Sequence, residues 1–203
     1  MTQNQDFMTN VIGKVQGITN NNTTNTNSHN TTTTNNQFNI HMFLNEHCKN
    51  AMNLTDFIDS LPITSETYDS TIENGLTKTI TNLLVNGLSQ LDILDRPIHC
   101  TDATRKTLYV KNDNIWEKDN ELLHILKGIK TLSLKQRTML NKWQDVNTGW
   151  DTKENLQSRM TKLVFNSMTS IENDVKETGK IIRAVSKNVY LDTDTKGKYI
   201  QLE

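Results

Sequence analysis

Five cations share one face of a predicted helix near the middle of the chain. Residues 122–142 contain no acidic side chain. At about 100° per residue, the five cations fall within an arc of roughly 160°, opposite most of the apolar residues of the segment. Such a face suits phosphate groups, anionic membranes or acidic protein partners, although an ordinary solvated surface would have the same composition. The five cations are Lys127, Lys130, Lys135, Arg137 and Lys142.

A predicted hairpin ahead of this helix adds further cations. Residues 96–142 carry ten basic and five acidic side chains, although the net charge of the whole chain is −1. The positive charge is therefore concentrated in one segment, and a uniformly basic nucleic-acid-binding protein is excluded. Three hairpin cations join the candidate nucleic-acid ligands: Arg105, Lys106 and Lys111.

Tyr109 and Trp116 lie beside these cations in the hairpin. Aromatic and basic residues on a hairpin resemble the wing of a winged helix, for which residues 65–91 would supply the DNA-reading helix. That helix carries three acidic side chains and one lysine, so its exposed face would repel phosphate. We therefore expect both aromatic rings to pack across the strands or in the core.

Two histidine–cysteine pairs are the other residues that could do chemistry. The pairs at 47–48 and 99–100 could supply zinc ligands, or a cysteine nucleophile with His99 or His124 as its base. Adjacent residues point to opposite sides of a strand and diverge by about 100° on a helix, so each pair offers one ligand to a shared metal. We therefore expect no metal, no cofactor and no catalytic residue. Cys48 and Cys100 are interpreted as small buried hydrophobic residues in a reducing compartment.

The elements that position these residues follow from apolar spacings of two for strands and of three or four for helices. Pro62 ends one helix, and Pro97 precedes an extended edge segment. The turn composition of residues 111–114 separates the two hairpin strands. In chain order we predict a strand over 38–44, short helices over 45–52 and 54–61, a longer helix over 65–91, an edge strand over 98–101 and hairpin strands over 107–110 and 115–116.

Two long helices complete the predicted domain. The first spans about 120–146 and carries the cationic face. The second spans about 153–189, and its apolar residues alternate steps of four and three, which is the heptad pattern of a coiled coil or a long antiparallel helix pair. From Asp192 onward a polar, frayed tail is expected. The heptad positions are Val164, Met168, Ile171, Val175, Thr178, Ile182, Val185 and Val189.

The first 37 residues are predicted to be separate from the compact domain. Residues 1–18 have the spacing of a short amphipathic helix, which is marginal alone and needs a partner, most simply its own copy. Residues 19–37 are almost entirely Asn and Thr, and we predict a disordered linker, with a stacked Asn/Thr ladder as the alternative. The predicted fold class is α+β, mostly α-helical, with a compact domain over 38–191 and a polar tail over 192–203.

Four phrases of the sequence resemble those of an uncharacterised protein family of giant viruses, the nucleocytoplasmic large DNA viruses. They occur at residues 43–57, 96–102, 108–118 and 180–183, in that order and after an Asn/Thr tract. The resemblance covers about residues 38–189 and implies an oligomerising helix, a flexible tract and a compact α+β domain. Many family members carry a zinc finger and a coiled coil ahead of the tract.

The zinc finger of that family does not carry over to this sequence. Before Cys48 there is no cysteine, so a Cys-x-x-Cys pair is excluded there. Residues 1–18 look like the remainder of the coiled coil. The resemblance therefore implies the order of the parts, and it implies no metal site.

These features together predict a non-enzymatic viral interaction, assembly or regulatory protein that acts as an oligomer. The expected partner is a second copy, bound through the N-terminal helix and the heptad positions over 164–189. The alternative is a nucleic-acid-binding protein that uses the basic face of the helix over 120–146. The sequence has neither a secretory signal nor a run of about 18 apolar residues, so we expect the host cytoplasm, including the viral factory, or the virion, and no membrane.

Overall fold

The computed structural model describes residues 38–138 and 140–200, so the predictions for 1–18 and 19–37 lie outside the described residues. The described part is mostly helical with a small three-stranded antiparallel sheet, which confirms the predicted fold class. Short 3₁₀ turns occur at Asn120–Leu122 and Ile171–Asn173. The elements in chain order are α1 (Ile40–Met42, continued by a π-helical turn at Phe43–His47), α2 (Leu54–Ser60), α3 (Ser65–Asn74), α4 (Leu76–Gln90), β1 (Ile98–Asp102), β2 (Thr107–Asn112), β3 (Ile115–Lys118), α5 (Leu123–Thr138), α6 (Asn141–Val146), α7 (Glu154–Ser167), α8 (Val175–Asn188) and α9 (Thr193–Lys198).

The predicted strand over 38–44 is wrong, because this segment turns into α1. The Asn39 carboxamide oxygen accepts hydrogen bonds from the backbone N–H groups of His41 and Met42, which caps a helix rather than extending a strand. Asn45 does not cap a following helix, because it lies inside the π-helical turn and its amide donates back to the carbonyl of His41. The predicted helix over 45–52 is therefore absent, and turns lead into α2.

The single helix predicted over 65–91 is instead a pair, α3 and α4, that folds back at Gly75. The φ of Gly75 is 81°, in the left-handed region that side chains other than that of glycine rarely adopt. The apolar stripe of the second half is retained, since Leu76, Ile80, Leu84 and Leu88 are all buried. The break places α4 in the core, where it packs against both α3 and α8.

The two long C-terminal helices are also interrupted. In place of one helix over 120–146, α5 ends at Thr138 and α6 begins at Asn141. In place of one helix over 153–189, α7 ends at Ser167 and α8 begins at Val175, where the Asp174 carboxylate accepts from the N–H groups of residues 176 and 177.

The heptad positions therefore do not form one continuous helical face. Met168 and Val175 are exposed to solvent. The later positions face the core of their own chain: Ile171, Thr178, Ile182, Val185 and Val189 are buried.

The sheet has the order β1-β2-β3, and its predicted hairpin is confirmed. Asp113 and Asn114 both have positive φ and form the tight turn between β2 and β3. The outer edge of β1, which was predicted as an edge strand, is covered by the chain after α8. The Cys100 N–H donates to the Val189 carbonyl, and the Leu191 N–H donates to the Cys100 carbonyl, both at 2.9 Å.

The predicted frayed tail is wrong for residues 192–200. Asp192 caps α9 by accepting from the Thr195 N–H. The ring of Tyr199, directly after α9, lies 4.9 Å from the ring of Phe43 in the π-helical turn. The last described segment therefore packs against the first one.

Helices α2 and α5 approach closely because Gly128 has no side chain. A Cβ atom at that position would lie 3.1 Å from Cδ1 of Ile58. Gly128 and Ile58 are both buried, and Ile125, Ile129 and Leu132 of α5 enter the same core. This contact fixes the spacing of the two helices around the pocket described below.

Candidate functional site

Lys111, one of the predicted nucleic-acid ligands, is a buried structural residue. Its ammonium group donates to the carbonyl oxygens of Lys49 at 2.6 Å and Ala51 at 2.8 Å. These bonds tie β2 to the loop that leads into α2, and they satisfy carbonyls that are removed from water. The assignment of Lys111 to a binding surface is therefore wrong.

Arg137 is likewise occupied inside the protein. Its guanidinium donates to the carbonyls of Ser167 and Thr169, each at 2.7 Å, and to both carboxylate oxygens of Glu172 at 2.9 and 3.0 Å. The guanidinium of Arg137 holds the pKa of the Glu172 carboxyl below its usual range. Arg137 thus joins the end of α5 to the turns between α7 and α8, and its guanidinium already has partners within the protein.

The other predicted cations do not form one surface. Lys135 donates to the carbonyl of Asp59 at 2.7 Å. Arg105 and Lys106 lie on the β1–β2 turn, where Arg105 is paired with Asp102 at 3.9 Å. That turn is at the opposite end of β2 from the pocket beside α5, roughly 17 Å away along a six-residue strand. Three lysines remain exposed and without an ion pair among the described residues: Lys127, Lys130 and Lys142.

The structure brings together Cys48 and His99, which are 51 residues apart in sequence. The Cys48 Sγ lies 3.5 Å from the His99 Nε2, and both side chains are fully buried. The Trp116 indole donates to the Cys48 carbonyl, and this partly buried ring packs against the cluster around Phe43, as expected, rather than on a wing. A thiol beside an imidazole has the geometry of a cysteine nucleophile with its base.

The electrostatics of this pair oppose nucleophilic chemistry. Burial, with a smaller contribution from Asp95, raises the pKa of Cys48 to about 12. Burial, with a smaller contribution from Arg96, lowers the pKa of His99 to about 3. A reactive cysteine needs the opposite shift, because the thiolate is the nucleophile. Thiol and imidazole are both neutral here, and the pair serves packing.

Cys100 does not join this pair. As expected from strand alternation, it packs in the main core with α4 and α8, whereas Cys48 packs in the cluster around Phe43. Within residues 38–138 and 140–200, no three His, Cys, Asp or Glu side chains converge as metal ligands.

A pocket of about 200 Å³ lies between α2 and α5, and we call it the α2–α5 pocket. Its apolar floor is formed by Leu54, Ile58 and Gly128, which are buried. Its polar rim is formed by residues of α2, of α5 and of the end of β2. Of the rim residues, only Lys127 was predicted as a nucleic-acid ligand. The rim residues are Thr55, Asp59, Asn112, His124, Lys127 and Thr131.

A strained connection positions the α5 side of this pocket. Glu121 and Leu122, directly before α5, have φ values of 57° and 61°, which cost of order 1–3 kcal/mol each for residues with side chains. The buried carboxylate of Asp119 offsets this cost by accepting from the N–H groups of His124 at 2.9 Å and Ile125 at 3.0 Å. Asp119 therefore fixes where α5 begins and how His124 faces Glu117, 3.2 Å away.

A larger hollow of about 530 Å³ at the start of α4 has a different character. There, the Glu177 carboxylate accepts from the Thr77 hydroxyl and from the Lys180 ammonium, each at 2.6 Å. The Glu177 carboxylate thus already has a cation, Lys180, and a hydroxyl donor, Thr77, within the protein. The α2–α5 pocket contrasts with it, because Asp59 and Lys127 line that pocket without pairing with each other.

Comparisons with known proteins do not assign this chain to a family. No protein-family model, curated protein or solved structure matches the chain. In the part of the chain that the structure describes, no helix combines the length and the apolar character of a membrane span. The class that the structure defines is a mostly helical α+β protein with a small antiparallel sheet.

Proposed function

We propose that this chain is a non-enzymatic interaction protein that acts as an oligomer. The observation that carries the proposal is the exposed apolar pair at the C-terminal end of α7, Phe165 and Met168, which are 77% and 75% exposed and which we call the apolar patch. Val175, at the start of α8, is 87% exposed. Burial of side chains of this size is worth about 1.5–3 kcal/mol each, so a partner that covers them gains affinity. Exposed apolar residues that cluster mark interaction sites more often than single ones do.

The patch lies around the C-terminal end of α7. Phe165 and Met168 are three residues apart, and Met168 keeps helical backbone angles as the C-terminal cap, so the two side chains are neighbours. Exposed Lys162 lies one turn before Phe165, and exposed Asp174 directly precedes Val175. Two copies related by a twofold axis can set the cation of one against the anion of the other. A second copy is therefore the proposed partner.

The proposal includes the viral setting expected from the sequence resemblance. We propose an assembly or regulatory role in the host cytoplasm, including the viral factory, or in the virion. The apolar patch takes over the role first expected of a continuous heptad face over 164–189. The N-terminal helix, over 1–18, remains a predicted second contact between copies.

Replacing Phe165 and Met168 with glutamate is expected to weaken self-association at least tenfold. Two buried apolar side chains are lost and two charges must be desolvated, and about 1.4 kcal/mol already corresponds to tenfold. Sedimentation equilibrium of the full chain over a wide concentration range measures the effect. Ile115→Glu is the matched control, because Ile115 is 68% exposed at the hairpin and lies outside the patch. A native chain that stays monomeric, or a double variant that associates like the control, would contradict the proposal.

Nucleic-acid binding is the second candidate, and the exposed, unpaired Lys127, Lys130 and Lys142 support it. Because neutralised phosphates release counterions, affinity should fall as salt rises, by about 0.7–0.9 log units per contact for each log unit of salt. We expect the Lys130→Glu/Lys142→Glu variant to bind more weakly than native protein and to reduce the slope. Lys187→Glu, at an exposed position of α8, is the control. Equal affinity and slope in both variants, or no binding at low salt, would refute this candidate.

A further inference from the structure

An acidic and a basic side chain line the α2–α5 pocket from different helices and do not form an ion pair with each other. Asp59 lines it from α2 and Lys127 from α5. Among the described residues, neither side-chain charge has a hydrogen-bond or ion-pair partner. The one bond in this region that involves Asp59 comes from Lys135, and it goes to the backbone carbonyl rather than to the carboxylate.

The rest of the lining limits what can occupy the space. The volume of about 200 Å³ equals that of roughly seven water molecules, at about 30 Å³ each, which admits a ligand of around ten non-hydrogen atoms. Leu54 and Ile58 give the floor an aliphatic surface. An anion alone would meet the Asp59 carboxylate, and a cation alone would meet the Lys127 ammonium. The complementary ligand carries both charges and a short apolar part.

We propose that the α2–α5 pocket binds a small aliphatic zwitterion of the α-amino-acid class. The ammonium of the ligand faces Asp59, its carboxylate faces Lys127, and its side chain lies on Leu54 and Ile58. Thr55 is one helical turn before Asp59 and Thr131 is one turn after Lys127, and both residues line the same pocket. Such a site is separate from the apolar patch on α7, so this inference goes beyond the proposed function.

Titration calorimetry of the full chain with leucine as the probe tests the proposal. Two analogues separate the charges: 4-methylpentanoate lacks the ammonium, and 3-methylbutylamine lacks the carboxylate. We expect leucine to bind and each analogue to bind at least tenfold more weakly. No heat of binding with leucine at millimolar concentration would overturn the proposal. Equal affinity for 4-methylpentanoate, or for inorganic phosphate, would also overturn it, by showing a plain anion site.

Two variants assign the binding to this pocket. Asp59→Asn and Lys127→Met are each expected to lower the leucine affinity at least tenfold. The matched controls are Asp56→Asn on α2 and Lys130→Met on α5, which are exposed positions outside the pocket and should bind like the native chain. Because all four positions are exposed, the fold should be retained, which a thermal melt verifies. Native affinity in both Asp59→Asn and Lys127→Met would overturn the assignment.

Discussion

Replacing Arg137 with methionine is expected to lower the free energy of unfolding by about 2–4 kcal/mol. The substitution removes a guanidinium that satisfies two backbone carbonyls and both oxygens of the Glu172 carboxylate. Removing one partner of a buried ion pair costs about 3–5 kcal/mol, and the lower range applies here because the Arg137 and Glu172 side chains retain 21% and 13% exposure. Urea denaturation measures the loss.

A double-mutant cycle separates the ion pair from the other contacts of Arg137. Glu172→Gln alone and together with Arg137→Met should give a coupling energy above about 1 kcal/mol. Arg137→Lys should recover little, because an ammonium cannot reach four acceptors in the planar arrangement that a guanidinium allows. Lys130→Met, on the exposed face of α5, is the matched control and should change stability by less than about 0.5 kcal/mol. An Arg137→Met variant as stable as this control would show that the contacts contribute nothing.

Acidification from pH 6.5 to 5 is expected to lower the free energy of unfolding by about 1.7 kcal/mol through His99 alone. Burial, assisted by the charge of Arg96, lowers the pKa of His99 from 6.5 to about 3 in the folded protein. In this pH interval His99 becomes protonated in the unfolded chain and stays neutral in the folded chain. The loss per pH unit therefore rises from about 0.7 kcal/mol at pH 6.5 to about 1.4 kcal/mol near pH 5. The contribution is fully present above pH 6.5 and is lost as the pH falls toward 3.

Denaturation between pH 7 and 5 tests this expectation, because few carboxylates titrate in that interval. His99→Gln should flatten the dependence relative to the native chain. If His99→Gln does not fold, an NMR titration of the histidine ring protons of the native chain decides the matter. A His99 resonance that titrates near pH 6.5 would contradict the burial argument.

The sequence predicts the fold class and most helical faces because burial follows apolar spacing. It fails where one spacing fits two structures. The alternation over 38–44 fits a strand, yet Asn39 caps a helix there and a π-helical turn buries both Phe43 and Leu44. The heptad spacing over 164–189 continues across the break between α7 and α8. The spacing alone therefore does not distinguish one long helix from two shorter ones. Asp174 followed by Glu177 is the capping signal that could have revealed the start of α8.

The candidate site was harder to predict than the fold, because its residues meet only through packing. Asp59 and Lys127 are far apart in the sequence and come to line one pocket because α2 and α5 pack closely at Gly128. Residue type also misled the prediction. Lys111 and Arg137 are cations of the kind that bind phosphate, but their partners are backbone carbonyls and the partly buried Glu172 carboxylate, which no local sequence pattern predicts.

The strand-like pairing of Tyr190 with Cys100 has a consequence for the order in which the chain acquires structure. The two residues are separated by about 90 positions, and Tyr199, which covers Phe43, comes later still. During synthesis, β1 therefore emerges long before the segment that seals its edge. Until residues 189–199 leave the ribosome, the nascent domain exposes an open strand of the kind that recruits other strands. Deleting this segment should therefore favour aggregation of an otherwise complete sheet.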